Sequence, residues 1–293
     1  MKKLAAFALV YFLALASCFA AGGDALAPFS NGLLWKVEKD NARPSHIFGT
    51  IHLDDARVTN LPAPVKQVFA HSTSFIMEMI IDETSTQKFL TAMLLPESSL
   101  QSVLGESLFA ETAGLMVEYG MPQEITAHFK PWAVMLTLIL PKERQGVIVD
   151  NVLYQQALSE KKSVHQLENV DEQISVFDGL PMDVQVGLLK QTVAHHDLIP
   201  GMVEKSIQAY LKRDVGAMWD INNSIMETDT DKRFNETFLQ RVLYDRNARM
   251  AERLQPRLEE GDAFVAVGAL HLYGSKGVLN LLKSRGYQIT RIY

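Results

Sequence analysis

Two stretches of the chain share one alternation of apolar and small residues. They are His46-Ile47-Phe48-Gly49-Thr50-Ile51-His52-Leu53 near the front and Phe264-Val265-Ala266-Val267-Gly268-Ala269-Leu270-His271-Leu272 near the back. Each is an apolar, β-branched run that ends in Gly-x-x-His-Leu before a turn and a helical pattern. Each therefore predicts a strand that delivers one histidine at its C-terminal end. A helix (Pro64 to Ala70) and a strand (Phe75 to Ile80) follow the first copy; a helix (Lys276 to Ser284) and a strand (Tyr287 to Ile292) follow the second. This self-similarity reads as a degenerate repeat of a strand-helix-strand unit. Ahead of the first copy, Asn31 to Val37 predicts an opening strand, and the turn Asn41-Ala42-Arg43-Pro44 joins it to the next as a hairpin.

Between the repeats the period changes. From Asp82 to Gly261 the pattern is mostly helical, with segments Thr86 to Leu95, Glu106 to Tyr119, Pro131 to Leu140, Asp150 to Ser159, Met182 to His195, Met202 to Leu211, Val215 to Met226, Asp231 to Tyr244 and Asn247 to Glu259. One strand, Ser163 to Leu167, interrupts it. Turn signals such as Gly120-Met121-Pro122 and Gly179-Leu180-Pro181 separate the helices without a Gly/Ser linker. The expectation is an α/β fold: a small mixed sheet built from the two pseudo-repeated units, with a large helical insertion at about 82–261 covering one side.

With 47% hydrophobic and 21% charged residues, the chain is globular. Met1-Lys2-Lys3 and the uncharged run Leu4 to Ala21 have the basic and apolar regions of a secretory signal, which predicts a signal peptide at 1–20, a mature domain at 21–293 and a periplasmic or secreted product. Leu15-Ala16-Ser17-Cys18 also matches a lipobox, and an acylated Cys18 would tether the domain to a membrane. Cys18 is the only cysteine, so the mature domain has no disulfide and no thiolate metal site. Loss of Lys2 and Lys3 takes the 28 basic residues to 26 against 34 acidic ones, a net charge of −8 that offers no basic stripe to nucleic acid.

Imidazole and carboxylate are common hydrolytic metal ligands, and catalytic sites combine three of them with an open position. His52 and His271 occupy equivalent places in the two units, side by side if the units pack about a pseudo-twofold axis. Glu78 interrupts an otherwise apolar strand, where a buried carboxylate is costly unless paired or metal-bound. These three are the candidate ligands for one divalent ion, zinc, manganese or cobalt. Glu78 is a candidate for ligand or general base. Asp150 reads first as a helix N-cap, and Glu168, at the end of the central strand, admits a site role. Arg246 is a candidate for holding an oxyanion or a substrate carboxylate, against the plainer reading of a surface ion pair. His46, His71, His128, His165, His195 and His196 lack this context and read as surface or capping residues.

The chain resembles the TraB/GumN family, which includes the Tiki metalloproteases and belongs with erythromycin-esterase-like and ChaN-like proteins. The resemblance runs from Trp35 to Tyr293. Gly49-Thr50-Ile51-His52-Leu53, Glu78 and Gly268-Ala269-Leu270-His271-Leu272 carry it, with Asp150-Asn151, Leu167-Glu168, Gln173 and Arg246-Asn247-Ala248-Arg249-Met250 matching in order between them. Ile148-Val149 departs from the small residue that the family often has before the middle aspartate. The resemblance implies a metal-dependent peptidase using His52, Glu78 and His271, with cobalt or manganese as supporting metal and a polypeptide as substrate. Two other classes stay open: a non-catalytic haem- or peptide-binding protein, with Phe129, Trp132 and Trp219 as candidate slot residues, and a metal-independent esterase with a histidine base.

Overall fold

The protein is described from a computed structural model over residues 27–142, 146–224 and 232–293. The signal-peptide segment and Cys18 lie outside the described residues. Strands β1 (Leu34–Glu38), β2 (Ser45–Thr50), β3 (Ser74–Met77), β4 (Ser163–Gln166), β5 (Ala263–Gly268) and β6 (Gln288–Arg291) form one mixed sheet in the order β4-β3-β5-β2-β1-β6. β4, β3, β5 and β2 are mutually parallel, whereas β1 is antiparallel to both its neighbours. The anticipated hairpin is β1–β2, with Leu34 opposite Phe48.

The two repeat units interleave, because β5 lies between β2 and β3. Their motifs are staggered by one residue: Gly49 pairs with Val267, and Gly268 with Thr50. Paired residues of neighbouring strands point to the same face, so a one-residue stagger sends equivalent positions of the two motifs to opposite faces. The cores agree. Phe48 packs in one core with Phe69, Phe75 and Phe264, while its counterpart Val267 lies in the other with Ile47, Ile76, Val265 and Leu282. The first crossover helix, Ala63–His71, accordingly covers one face, where Phe69 meets Phe264 edge-on at 5.1 Å; the second, Val278–Ser284, covers the other. This is the relation of a twofold axis running along the strands.

The helical insertion contributes more than a cover for one side. Its helix Pro131–Leu138 is buried all round in the first core, as an apolar segment with no polar face must be. Its last helices, Asp245–Arg253 and Gln255–Glu260, send Met250, Ala251, Leu254 and Leu258 into the second core. The reason is β5, which is buried along its whole length and needs apolar cover on both faces. The insertion also supplies the edge strand β4. The helix Val170–Asp178 and the short helices Ala56–Thr59, Leu100–Leu104 and Gln123–Thr126 lie outside the expected set, although the capping box of Asn169 and Glu172 announces the first of these. Among the described residues no helix is long and apolar enough to cross a membrane.

Candidate functional site

Four parallel strands end on the same side of the sheet, and each leads to a buried polar residue: β2 to His52, β3 to Glu78, β4 to Glu168 and β5 to His271. Chemistry concentrates at this end of parallel strands because the chain turns there and exposes backbone and side-chain groups in a common crevice. Glu78 is the first residue beyond β3 rather than part of it. There its Oε1 accepts the Gly268 amide at 2.7 Å, so a side chain takes the place of further strand pairing and ties the end of β3 to the end of β5.

The two histidines are held in the same manner. His52 Nδ1 donates to Asp150 Oδ2 at 2.9 Å, and Thr50 donates its hydroxyl to Oδ1 of the same carboxylate at 3.0 Å. His271 Nδ1 donates to Asn247 Oδ1, whose orientation is set because Asn247 Nδ2 donates to the Lys276 carbonyl at 2.9 Å. With both Nδ1 positions occupied, the Nε2 atoms are what the rings present. Both are buried without a hydrogen-bond partner, His52 Nε2 lying 3.6 Å from Glu78 Oε1 and His271 Nε2 3.9 Å from Glu78 Oε2.

Behind Glu78 stands a buried ion-pair network. Arg246 is fully buried; its Nη2 donates to Glu78 Oε2 at 2.7 Å and to Glu168 Oε2 at 2.6 Å, and its Nε donates to Glu168 as well. Gln173 and Arg249 complete the shell of Glu168. A π-turn, Gln240–Tyr244, precedes Arg246 and offers the Val242 carbonyl to its Nη1 at 3.2 Å. Such turns shift the helical register locally and recur at functional sites.

Charge follows this geometry. Burial disfavours the imidazolium of His52, but the Asp150 carboxylate and Glu78 outweigh it and push its pKa up to about 10. For His271 burial prevails and pushes the pKa down to about 3, so this ring is neutral. Burial also opposes ionisation of Glu78, yet His271, His52 and the Arg246 guanidinium hold its carboxyl well below the usual range. The His52 imidazolium and the guanidiniums of Arg246 and Arg249 together balance the carboxylates of Asp150, Glu78 and Glu168. A cation that displaced the His52 proton would take over its charge and leave Nε2 free as a donor.

Among the described residues no group of three or more His, Cys, Asp or Glu side chains stands in a geometry that holds a metal ion. The donor set nonetheless fits a divalent ion: two orphaned imidazole nitrogens and a carboxylate converge, and both rings have the outer-shell acceptors that metal-binding histidines commonly use.

Each residue singled out from sequence has a definite place here. His52, Glu78 and His271 come together, and Glu168 and Arg246 stand directly behind them. Arg246 is not in a surface ion pair; its donors are engaged by Glu78, Glu168 and Val242 inside the protein. Asp150 does not cap its helix: Ile148 is the cap of Val149–Ser159, and the Asp150 side chain turns inward to His52. Asn247 was named from sequence only as part of a family pattern. Its signal, a polar residue beside Arg246 on an otherwise amphipathic helix, is too common to single out. Trp132 packs against Phe89 and Phe177, Trp219 stacks on Tyr273 at 5.0 Å, and both are core residues, as is Phe129.

The model of the TraB/PrgY/gumN family matches residues 33–291. The chain is similar to Metalloprotease TIKI1 of Danio rerio, 26% identical over 88% of this chain and 63% of that protein, and to Metalloprotease TIKI1 of Homo sapiens, 26% identical over 88% and 61%. It is also similar to the uncharacterized protein YbaP of Escherichia coli (strain K12), 23% identical over 82% of this chain and 88% of the relative. The chain thus spans about three fifths of the length of the metalloproteases it matches. No solved structure matches it significantly.

Proposed function

Since the chain belongs to the TraB/PrgY/gumN family, we propose that it is a metal-dependent hydrolase of peptide bonds whose ion is held by His52, Glu78 and His271. One observation carries the reading: two buried imidazoles, each pinned through Nδ1, turn unpartnered Nε2 atoms toward one carboxylate. The metalloprotease names of the TIKI relatives support the reaction class and a polypeptide substrate. Zinc, manganese and cobalt all suit these nitrogen and oxygen donors. When bound, such an ion supplies Lewis acidity toward a carbonyl and lowers the proton affinity of water.

The side chains divide the remaining work. Asp150 and Asn247 fix the ring orientations and the tautomers that leave Nε2 free. Arg246 and the Gly268 amide hold the Glu78 carboxylate ionised and directed at the rings. A carboxyl held that far below its usual range is a weak general base, which favours Glu78 as ligand. Arg246 positions Glu78 and does not meet substrate. The same reading includes export: removal of residues 1–20 and release into the periplasm or medium, or attachment through Cys18. Mass spectrometry of the mature N-terminus tests it.

Metal analysis of the purified protein beside His52→Ala, Glu78→Gln and His271→Ala tests the site. Loss of stoichiometric metal in each variant is expected, together with loss of manganese- or cobalt-dependent peptide cleavage. The paired His52 and Asp150 also resemble a base and its orienting acid, which is the arrangement of a metal-independent esterase. Ester or peptide hydrolysis that survives chelation would favour that second reading.

A further inference from the structure

The sheet has two edges, and only one of them adjoins a strand that leads to a candidate site residue. β4 borders β3, which leads to Glu78, and its own end leads to the buried Glu168; β6 lies on the far side, beyond β5, β2 and β1. The backbone groups of β4 alternate in direction. Ser163 and Leu167 donate their N–H groups to the carbonyls of Thr73 and Met77, at 3.2 and 2.9 Å, so the N–H and C=O groups of Val164 and Gln166 face away from β3. Among the described residues no group is hydrogen-bonded to these outward amides. Apart from β3, the element packed most closely on β4 is the helix Val149–Ser159, which sends Leu153 and Ala157 into the first core and so lies on a face of the sheet, not along its edge. Ser163 and Gln166 are exposed, and Val164 and His165 half-buried.

We propose that an extended segment of the polypeptide substrate adds to this open edge as a further strand beside β4, leading the chain into the site. The proposal rests on the peptidase reading above. Outward N–H and C=O groups on alternate residues are what a strand needs to pair, and they recognise a backbone whatever its side chains. Reach agrees with this placement. Strands lie about 4.8 Å apart, so an added strand runs about 10 Å from β3, a distance that about three residues of extended chain span at roughly 3.3 Å each. A second copy of this chain is the other partner an open edge can take. Pairing a four-residue strand with its twin, however, covers far less than the roughly 1,200 Å² that a stable dimer buries. A substrate needs only a weak hold here, because the site binds the same chain.

Val164→Pro tests the edge, since proline removes the outward N–H and leaves the ladder to β3 intact. With manganese or cobalt present, KM is measured for a long peptide and for a short one trimmed to the residues around the bond cleaved. The variant should raise KM for the long peptide about tenfold, the worth of one or two hydrogen bonds, and leave KM for the short peptide, kcat and metal content unchanged. Val164→Ala keeps the N–H and should behave as the wild type. A folded Val164→Pro protein with an unchanged KM for the long peptide, or with a rise that the short peptide or Val164→Ala shows equally, overturns the proposal. Amide hydrogen exchange read by NMR is the second measurement and decides where that variant does not fold. On the wild type with the long peptide, and a chelator to stop cleavage, exchange at Val164 and Gln166 should slow about tenfold or more. Absence of slowing overturns the proposal, and slowing that follows protein concentration without peptide identifies a second copy and overturns it too. If the wild type cleaves no peptide, the peptidase reading fails on its own account, and the same exchange measurement decides about the edge.

Discussion

The two histidines share a motif but not a charge state. His52 sits against Asp150 with its pKa pushed up to about 10, while His271 sits against a neutral amide with its pKa pushed down to about 3. Linkage gives each a side of the stability curve. The stabilisation from His52 is fully present below the unfolded value of about 6.5 and is lost as pH rises toward 10. That from His271 is present above about 6.5 and is lost as pH falls toward 3. Chelator-treated protein is therefore expected to be most stable near pH 6.5 on account of this pair, with urea midpoints falling on both sides. Asp150→Asn removes the carboxylate that raises His52 and should flatten the alkaline limb alone; an alkaline limb identical to wild type would contradict the assignment. The same variant should weaken metal binding by about 10- to 100-fold, as loss of an outer-shell partner commonly does.

At the scale of elements, the glycine of the first motif has a packing reason. A Cβ added at Gly49 would lie 3.0 Å from the Ala269 Cα and 3.0 Å from Leu272 Cδ1, atoms of the 3-10 turn that carries His271. The turn lies directly on β2, and Gly49 lets it do so. Gly49→Ala should force β2 and that turn apart and cost about 1–3 kcal/mol, the usual scale for overpacking. Equilibrium denaturation measures the cost, and metal affinity should fall with it because the His52 and His271 rings separate. Unchanged stability and affinity would mean that the contact relaxes without consequence.

At the scale of the whole molecule, the C-terminal segment closes the structure. Val278–Ser284 covers the second face of the sheet, and β6 pairs with β1, at the opposite end of the chain. We expect residues 21–293 to fold as one unit. Truncation before Lys276 strips cover from the buried face of β5 and should abolish cooperative thermal unfolding; calorimetry showing a single sharp transition in the truncated protein would refute this.

Much of this architecture was legible in the chain. A period of two ending in Gly-x-x-His, a period of 3.6 and a proline or glycine at a boundary are short-range signals, because strand, helix and turn preferences act over a few residues. They located β2, β5, both histidines and most helices, and the charge in an apolar run pointed to Glu78. Short-range physics does not state which strands become neighbours. That β5 enters between β2 and β3, and that its motif is staggered by one residue, follows from burying both faces of a central strand at once. The outer shell has the same origin. An aspartate near a helix start caps it in most settings, and whether it instead reaches a histidine 98 residues away depends on packing between distant segments. Arg246 likewise reads as an oxyanion or carboxylate holder or as a surface ion pair until the fold removes it from water beside Glu78 and Glu168, where only a paired guanidinium is tolerated.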